Sequence, residues 1–271
     1  MNTYHFSVGN IKLIVVGDGS ETLDEAGLIG MVKPLPDAFL QAYREMPQPY
    51  QFNYNILYIE SAGERILIDT GNGAEGKPQV GNTLDLLQQE GITAGQIDKV
   101  ILSHLHMDHA GGLTVGNAAV FPNAEIIIPK VEWEHWLESG PAPAERREIL
   151  KAVFQPYTGR IRFVGDGDSV AEGVTVVALP GHTPGHSGFI IDSEGQGLLH
   201  IVDALHLQMQ IAFPEVSPVF DLQPDVSAAN RRKVLERIAD EGLTILAYHL
   251  QFPGLGRVER SGSGFAWKPM G

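Results

Sequence analysis

The chain has 271 residues, 43% of them hydrophobic and 19% charged, with ten histidines and no cysteine. A chain of this length buries a sizeable core without help, and the missing cysteine excludes disulfide frameworks, Cys-ligated zinc, iron–sulfur clusters and thiol nucleophiles. The 33 acidic residues against 19 basic ones give a net charge of -14, which repels phosphate backbones and anionic lipid and sets nucleic acid and membrane surfaces aside as partners.

The amino terminus MNTYHFSVGNIKLIVV lacks a basic n-region, a continuous apolar stretch and a small-residue cleavage site, so it reads as mature protein. No apolar run approaches the roughly 20 residues of a membrane-spanning helix. A cytoplasmic protein is expected. Short β-branched or apolar runs at 11–16, 55–59, 65–68, 99–102, 125–128, 160–164, 174–179, 188–191 and 198–202 predict strands. Small polar residues and glycine at 61–64 and 192–195 predict two hairpins.

Helices are predicted between these strands. Asn82 can cap 83–90, with Gly91 as the stop; 130–137 and 144–154 follow; Asp225 opens a run to 241 closed by Gly242. In the last one Val234, Leu235 and Ile238 form an apolar stripe. The element order predicts an α/β sandwich of two mixed sheets with helices outside, in one domain over 1–271. Residues 31–52, rich in Pro and aromatics, interrupt the strand pattern. They read either as a packed surface excursion or as a lid or subunit contact.

The chemistry concentrates at the carboxyl ends of strands. After the run 99–102 comes Ser103-His104-Leu105-His106-Met107-Asp108-His109-Ala110-Gly111-Gly112. In extended chain His104 and His106 project to one side, while the turn toward the glycines brings Asp108 and His109 to a second point nearby, so one loop can serve two metals. Packing these groups together without a cation would leave polar atoms unpaired. A second strand ends in Gly181-His182-Thr183-Pro184-Gly185-His186, a third in Asp203 and a fourth in His249. This set of N and O ligands suits zinc best, with manganese, iron or cobalt as substitutes.

The segments SHLHMDHAGG and GHTPGHS, with a strand-terminal aspartate and a late histidine, resemble the metallo-β-lactamase superfamily. The first segment looks like that of N-acyl homoserine lactone lactonases, and HLQFPGLG near the end looks like the methyl parathion hydrolase branch. The resemblance runs from Asn55 to the carboxyl terminus. It implies the αββα sandwich fold and a two-zinc site in which His104, His106 and His182 hold one metal, Asp108, His109 and His249 the other, and Asp203 bridges both. Two positions depart from the pattern: Val202 stands where glycine usually precedes the bridging aspartate, and His206 where the lactonases carry tyrosine.

A two-metal site of this kind attacks esters with a metal-bridging hydroxide. Asp108 is then placed to carry the proton to the leaving oxygen, and His206 to hold the electrophile's oxygen. Met107, Leu205, Leu207, Met209, Leu250 and Phe252 flank ligands in the sequence and are expected to line the substrate pocket. His186 is expected to hydrogen-bond behind the His182 loop. His200 reads as a core residue, and His5 and His135 as surface or partly buried ones. The leading expectation is a lactonase acting on small uncharged N-acyl homoserine lactones, with promiscuous esterase or phosphotriesterase activity. The alternatives are an organophosphate triester hydrolase, a glyoxalase II-type thioesterase, a β-lactam hydrolase and, from another class, a di-iron redox or metal-binding protein. A homodimer using 31–52 is expected.

Overall fold

The computed structural model describes residues 2–74, 79–138, 140–262 and 264–270. Seven strands build the first sheet in chain order: β1 (Thr3–Val8), β2 (Ile11–Leu23), β3 (Tyr50–Ser61), β4 (Glu64–Ile68), β5 (Lys99–Ile101), β6 (Glu125–Pro129) and β7 (Ile161–Val164). The first four pair antiparallel and the rest parallel. The second sheet also has seven: β8 (Ser169–Ala171), β9 (Val174–Ala178), β10 (Ser187–Ser193), β11 (Gln196–Val202), β12 (Thr244–Ala247), β13 (Leu255–Ser261) and β14 (Gly264–Pro269). Its only parallel pair among the described residues is β11 with β12.

Both predicted hairpins are present, with Ser61 paired to Glu64 and Ser193 to Gln196. Their two-residue loops place Ala62 and Gly63, and Glu194 and Gly195, at positive φ. That geometry matches the right-handed twist of the flanking strands.

A core of buried aliphatic and aromatic side chains joins the sheets, with Ile56, Ile68, Val100 and Ile127 from the first and Val174, Val176, Phe189 and Leu246 from the second. Helices α3 (Thr83–Gln89), α5 (Lys130–Leu137) and α6 (Ala144–Phe154) add Leu87, Trp136 and Val153 to it. On the other side α7 (Pro224–Glu241) lays Val234, Leu235 and Ile238 against Leu199, Ile201 and Ile245. Burying such side chains contributes about 1.5–3 kcal/mol each. The helix stops at Gly242, whose φ of 65° is left-handed. The architecture is a sandwich of two mixed sheets with helices, as the sequence predicts.

Three local expectations change. Asn82 makes no capping bond; the buried Asp18 carboxylate takes the Thr83 backbone N–H and hydroxyl instead. Residues 31–52 hold α2 (Asp37–Glu45) and the start of β3, following α1 (Glu25–Met31). Phe39, Tyr43 and Tyr50 of this stretch pack on Leu207, Met209 and Val216 of the same chain. Strands β1, β8, β13 and β14 lie outside the predicted runs, and β12 is anticipated only through its end near His249. Among the described residues no helix is long and apolar enough to cross a membrane.

Candidate metal centre

Four strand ends of the two sheets open onto one point. Beyond β5, Leu102 to Leu105 are fully buried and α4 (Met107–Ala110) begins after His106. The loop after β9 carries His182, the residue after β11 is Asp203, and His249 follows β12 by two residues. Val202 has a φ of 47°, a left-handed backbone that a β-branched residue rarely adopts. It lies where the β11–β12 register shifts, which explains why a glycine would suit this position and how Asp203 leaves the strand line.

Asp203 is the hub. Its Oδ2 lies 3.7 Å from Nε2 of His104 and 3.3 Å from Nε2 of His109, His182 and His249. Nδ1 of His106 lies 3.1 Å from Nε2 of His104 and 2.8 Å from Nε2 of His182. Asp108 Oδ2 lies 3.6 Å from Nε2 of both His109 and His249. All seven predicted ligands thus fall in overlapping groups close enough to hold a metal: His104, His106 and His182; Asp108, His109 and His249; and His104 and His109 with Asp203. His206 joins as well, with Nε2 3.2 Å from Asp203 Oδ2. Asp108 is the most open of these carboxylates, its side chain 29% exposed against 2% for Asp203.

Oxygen acceptors behind the rings fix the tautomers. Nδ1 of His109 donates to Asp69 at 2.8 Å, Nδ1 of His182 to Asp221 at 2.9 Å and Nδ1 of His249 to the Asn53 carbonyl at 2.9 Å. Each pairing leaves Nε2 with a lone pair aimed inward, as a metal ligand requires. Asp69 also takes the Ser103 N–H and hydroxyl, and the Ser103 oxygen sits 3.0 Å from Nδ1 of His104. Arg231, fully buried, holds Asp221 at 3.2 Å and donates to the carbonyls of Ala204, Pro214 and Val216. His186 binds the Leu179 carbonyl through Nδ1 and accepts the Asp203 N–H through Nε2.

Glu132 ties the two histidine loops together. Its buried carboxylate accepts the Leu105 N–H, the Trp136 indole, the Thr183 hydroxyl and the Gly185 N–H. Burial pushes its pKa up, against four donors that favour the anion.

The electrostatics test whether cations fit. Burial holds the His104 and His106 pKa values well below the usual range. Burial also opposes charge on His109, yet Asp203, Asp108 and Asp69 outweigh it and hold that pKa well above usual. Burial likewise opposes ionisation of Asp203, but His109, His249 and His206 hold it well below the carboxylate range. The carboxylates therefore demand positive charge at this point. Buried His109 Nε2 and Asp203 Oδ1 lack hydrogen-bond partners among the described residues. Inward lone pairs, orphaned polar atoms and a demand for cationic charge fit a dinuclear divalent site.

The centre forms the floor of a cavity of about 550 Å³ whose apolar wall includes Leu23, Met31, Phe52, Met107 and Phe220. Of the six residues expected to line it, only Met107 does. Leu205 and Leu250 are buried against the α7 side, Leu207 and Met209 under residues 24–50, and Phe252 packs on the central core. At a strand end, residues next to a ligand point away from it into the core, so sequence neighbours make poor wall candidates. The wall comes from distant segments, including Met31 and Phe52 at the ends of the 31–52 excursion. His200 is buried in the core, His135 is half-buried and the His5 side chain is 59% exposed. A cleft of about 590 Å³ lined by Lys12, Glu60, Arg65 and Asp98 lies elsewhere and contains none of the clustered histidines.

Sequence reading missed Asp69, Asp221, Glu132 and Arg231. Asp69 carried the signal that revealed Asp203, a carboxylate directly after an apolar strand; the others carried none.

A family model for the metallo-beta-lactamase superfamily matches residues 49–249. An N-acyl homoserine lactonase of Bacillus thuringiensis is 29% identical over 167 residues, 61% of this chain and 61% of that protein. One from Bacillus cereus is 33% identical over 149 residues, 55% of this chain and 54% of that protein. The chain thus spans about three fifths or less of these curated relatives. Among solved structures, the dizinc quorum-quenching lactonase AidC, in complex with a product, is 28% identical with a TM-score of 0.88, covering 100% of this chain and 98% of that one. The hydrolase AbOPH is 27% identical with a TM-score of 0.89 over the same shares.

Proposed function

The chain belongs to the metallo-β-lactamase superfamily as a metallo-hydrolase related to dizinc lactonases, and from that premise we propose that it opens N-acyl homoserine lactones using two zinc ions. The observation that carries the proposal is Asp203 Oδ2, within 3.7 Å of Nε2 of His104, His109, His182 and His249, on the floor of a mostly apolar cavity. The full-length likeness to AidC, described with a ring-opened acyl homoserine product, supports the lactone as substrate.

His104, His106 and His182 would hold one cation, Asp108, His109 and His249 the other, and Asp203 both. Together the cations would supply an acidified water and a Lewis acid at neutral pH. The chain's own residues do the rest. Leu23, Met31, Phe52 and Phe220 exclude bulk water and seat an acyl arm, strengthening the electrostatics inside. Asp108, the carboxylate most open to the cavity, holds the proton in transit to the leaving oxygen. His206, beside Asp203 and in edge contact with Phe220 at 4.8 Å between ring centroids, holds the oxygen on which charge develops.

A phosphotriester is the second reading. It draws on one position: His206 occupies the place of the lactonase tyrosine, and trigonal-bipyramidal phosphorus needs the same charge stabilisation from a differently shaped pocket. The deciding experiment compares kcat/KM for acyl homoserine lactones, γ- and δ-lactones, an aryl phosphotriester, a thioester and a β-lactam. A preference for the acyl homoserine lactone is expected, and a phosphotriester preference replaces the proposal with the second reading. Metal analysis accompanies it: bound zinc is expected, and an iron chromophore points to redox chemistry instead.

A further inference from the structure

Arg146 and Arg147 are consecutive on α6, and the fold uses them differently. Arg147 is tied down, donating to the Trp136 carbonyl at 3.2 Å and the Gly140 carbonyl at 2.8 Å. The half-buried Arg146 makes no hydrogen bond and no ion pair within 4 Å among the described residues, and the Asp108 carboxylate acts on its charge from farther off. Its guanidinium carbon lies 5.8 Å from the centroid of the Trp136 ring, and its side chain lines the cavity over the metal centre beside Met107 and Asp108.

The platform beneath it is rigid. The Trp136 indole donates to the buried Glu132 at 2.5 Å, and its ring meets His106 edge-on at 5.7 Å. One aromatic ring thus separates the guanidinium from a predicted metal ligand. A cation resting on a fixed indole keeps its place without spending its N–H donors, so all five stay available to a ligand. Its nitrogens are not among the buried atoms without a partner, so its donors open onto the cavity, where a bound ligand can take the place of water.

We propose that Arg146 binds the amide carbonyl of an N-acyl aminolactone and thereby selects this class over plain alkyl lactones. The inference rests on the lactonase reading above. In such a substrate the amide carbon stands three bonds from the scissile carbonyl carbon, so a group set one ring away from the metal centre faces the amide while the ester occupies the floor. Asp108 and Glu21 line the same cavity, so a neutral acceptor is favoured over a second carboxylate, which would meet like charge. The acyl chain beyond the amide then runs along the wall of Leu23, Met31 and Phe52.

The test measures kcat/KM of the wild-type holoenzyme, Arg146→Ala and Arg146→Lys on an N-acyl aminolactone and on an alkyl γ-lactone of matched length without the amide. The ratio between the two substrates should fall at least tenfold in Arg146→Ala, equivalent to about 1.4 kcal/mol, mainly through KM, with Arg146→Lys between. Calorimetry with the acyl-amide lactam, a non-hydrolysable analogue, should show the same loss as a weaker Kd. An equal loss on both substrates makes Arg146 a structural cover for Trp136 and overturns the proposal, as does an unchanged ratio. A wild-type enzyme that opens neither lactone overturns the lactonase reading itself, a result distinguishable from either.

Discussion

The Asp221 carboxylate accepts a hydrogen bond from Nδ1 of His182 at 2.9 Å and is gripped from behind by the buried Arg231 guanidinium at 3.2 Å. His182 is thereby held with Nε2 toward Asp203, although Asp221 lies 39 residues away in sequence. Burial opposes ionisation of Asp221, but His182, His206 and Arg231 hold its pKa below the carboxylate range, so it stays an acceptor near neutral pH. Asp221→Asn can present an amide N–H to Nδ1, which then turns acceptor and leaves the proton on Nε2. Metal affinity should fall 10- to 100-fold, measured by competition with a chromogenic chelator. Retained affinity would show that His182 needs no such support.

The convergence of the seven expected ligands on one point was legible because their signal is local: strand, tight loop, histidine or aspartate. The groups that orient them were illegible because their contacts span 40 residues from Asp69 to His109 and 51 from Glu132 to Thr183. No periodicity encodes such pairs. The cavity wall was missed for a related reason, since Leu23, Phe52 and Phe220 reach the site only through tertiary packing. Helix α2 was hidden by the prolines at 34, 36, 47 and 49, which bound the helix rather than break it. The cap at Asn82 went to Asp18 because a buried carboxylate from a neighbouring strand can reach the same N–H groups.

Glu132 offers a second handle on the same centre. Its two oxygens serve four donors from the His104–His106 loop, Trp136 and the His182 loop. Glu132→Gln replaces one acceptor with an NH₂ group facing donors. It should lower stability by about 1–3 kcal/mol, read as a fall in melting temperature of the metal-loaded protein. A melting temperature equal to that of wild type would mean the loops hold their register without Glu132.

His206 lines the cavity and contacts Asp203, so two roles are separable by measurement. As the group that holds developing charge, its loss in His206→Phe should reduce kcat on lactones by about 10²–10³ with two metals still bound. Metal stoichiometry and kcat, taken on the same preparation, decide the matter. A drop to one metal per chain would instead make His206 an eighth ligand beside the seven expected ones.

His200 predicts a pH dependence set chiefly by its own burial, with Asp69, His109 and Asp203 acting on it more weakly. Its Nδ1 donates to the Leu246 carbonyl at 3.1 Å, and its buried Nε2 has no partner among the described residues, so a second proton would sit on a nitrogen without an acceptor. Burial pulls its pKa from 6.5 to about 4. Because the folded value lies below the unfolded one, the contribution is fully present above pH 6.5 and is lost as pH falls toward 4, where the unfolded chain binds the proton more readily. At about 1.36 kcal/mol per pKa unit, the loss amounts to roughly 3 kcal/mol. His200→Asn keeps an N–H for the Leu246 carbonyl and removes the titration, so its unfolding free energy should decline less than that of wild type between pH 6.5 and 4. Denaturant titrations across that interval give the difference, and parallel decline in both proteins would assign the acid sensitivity to other groups.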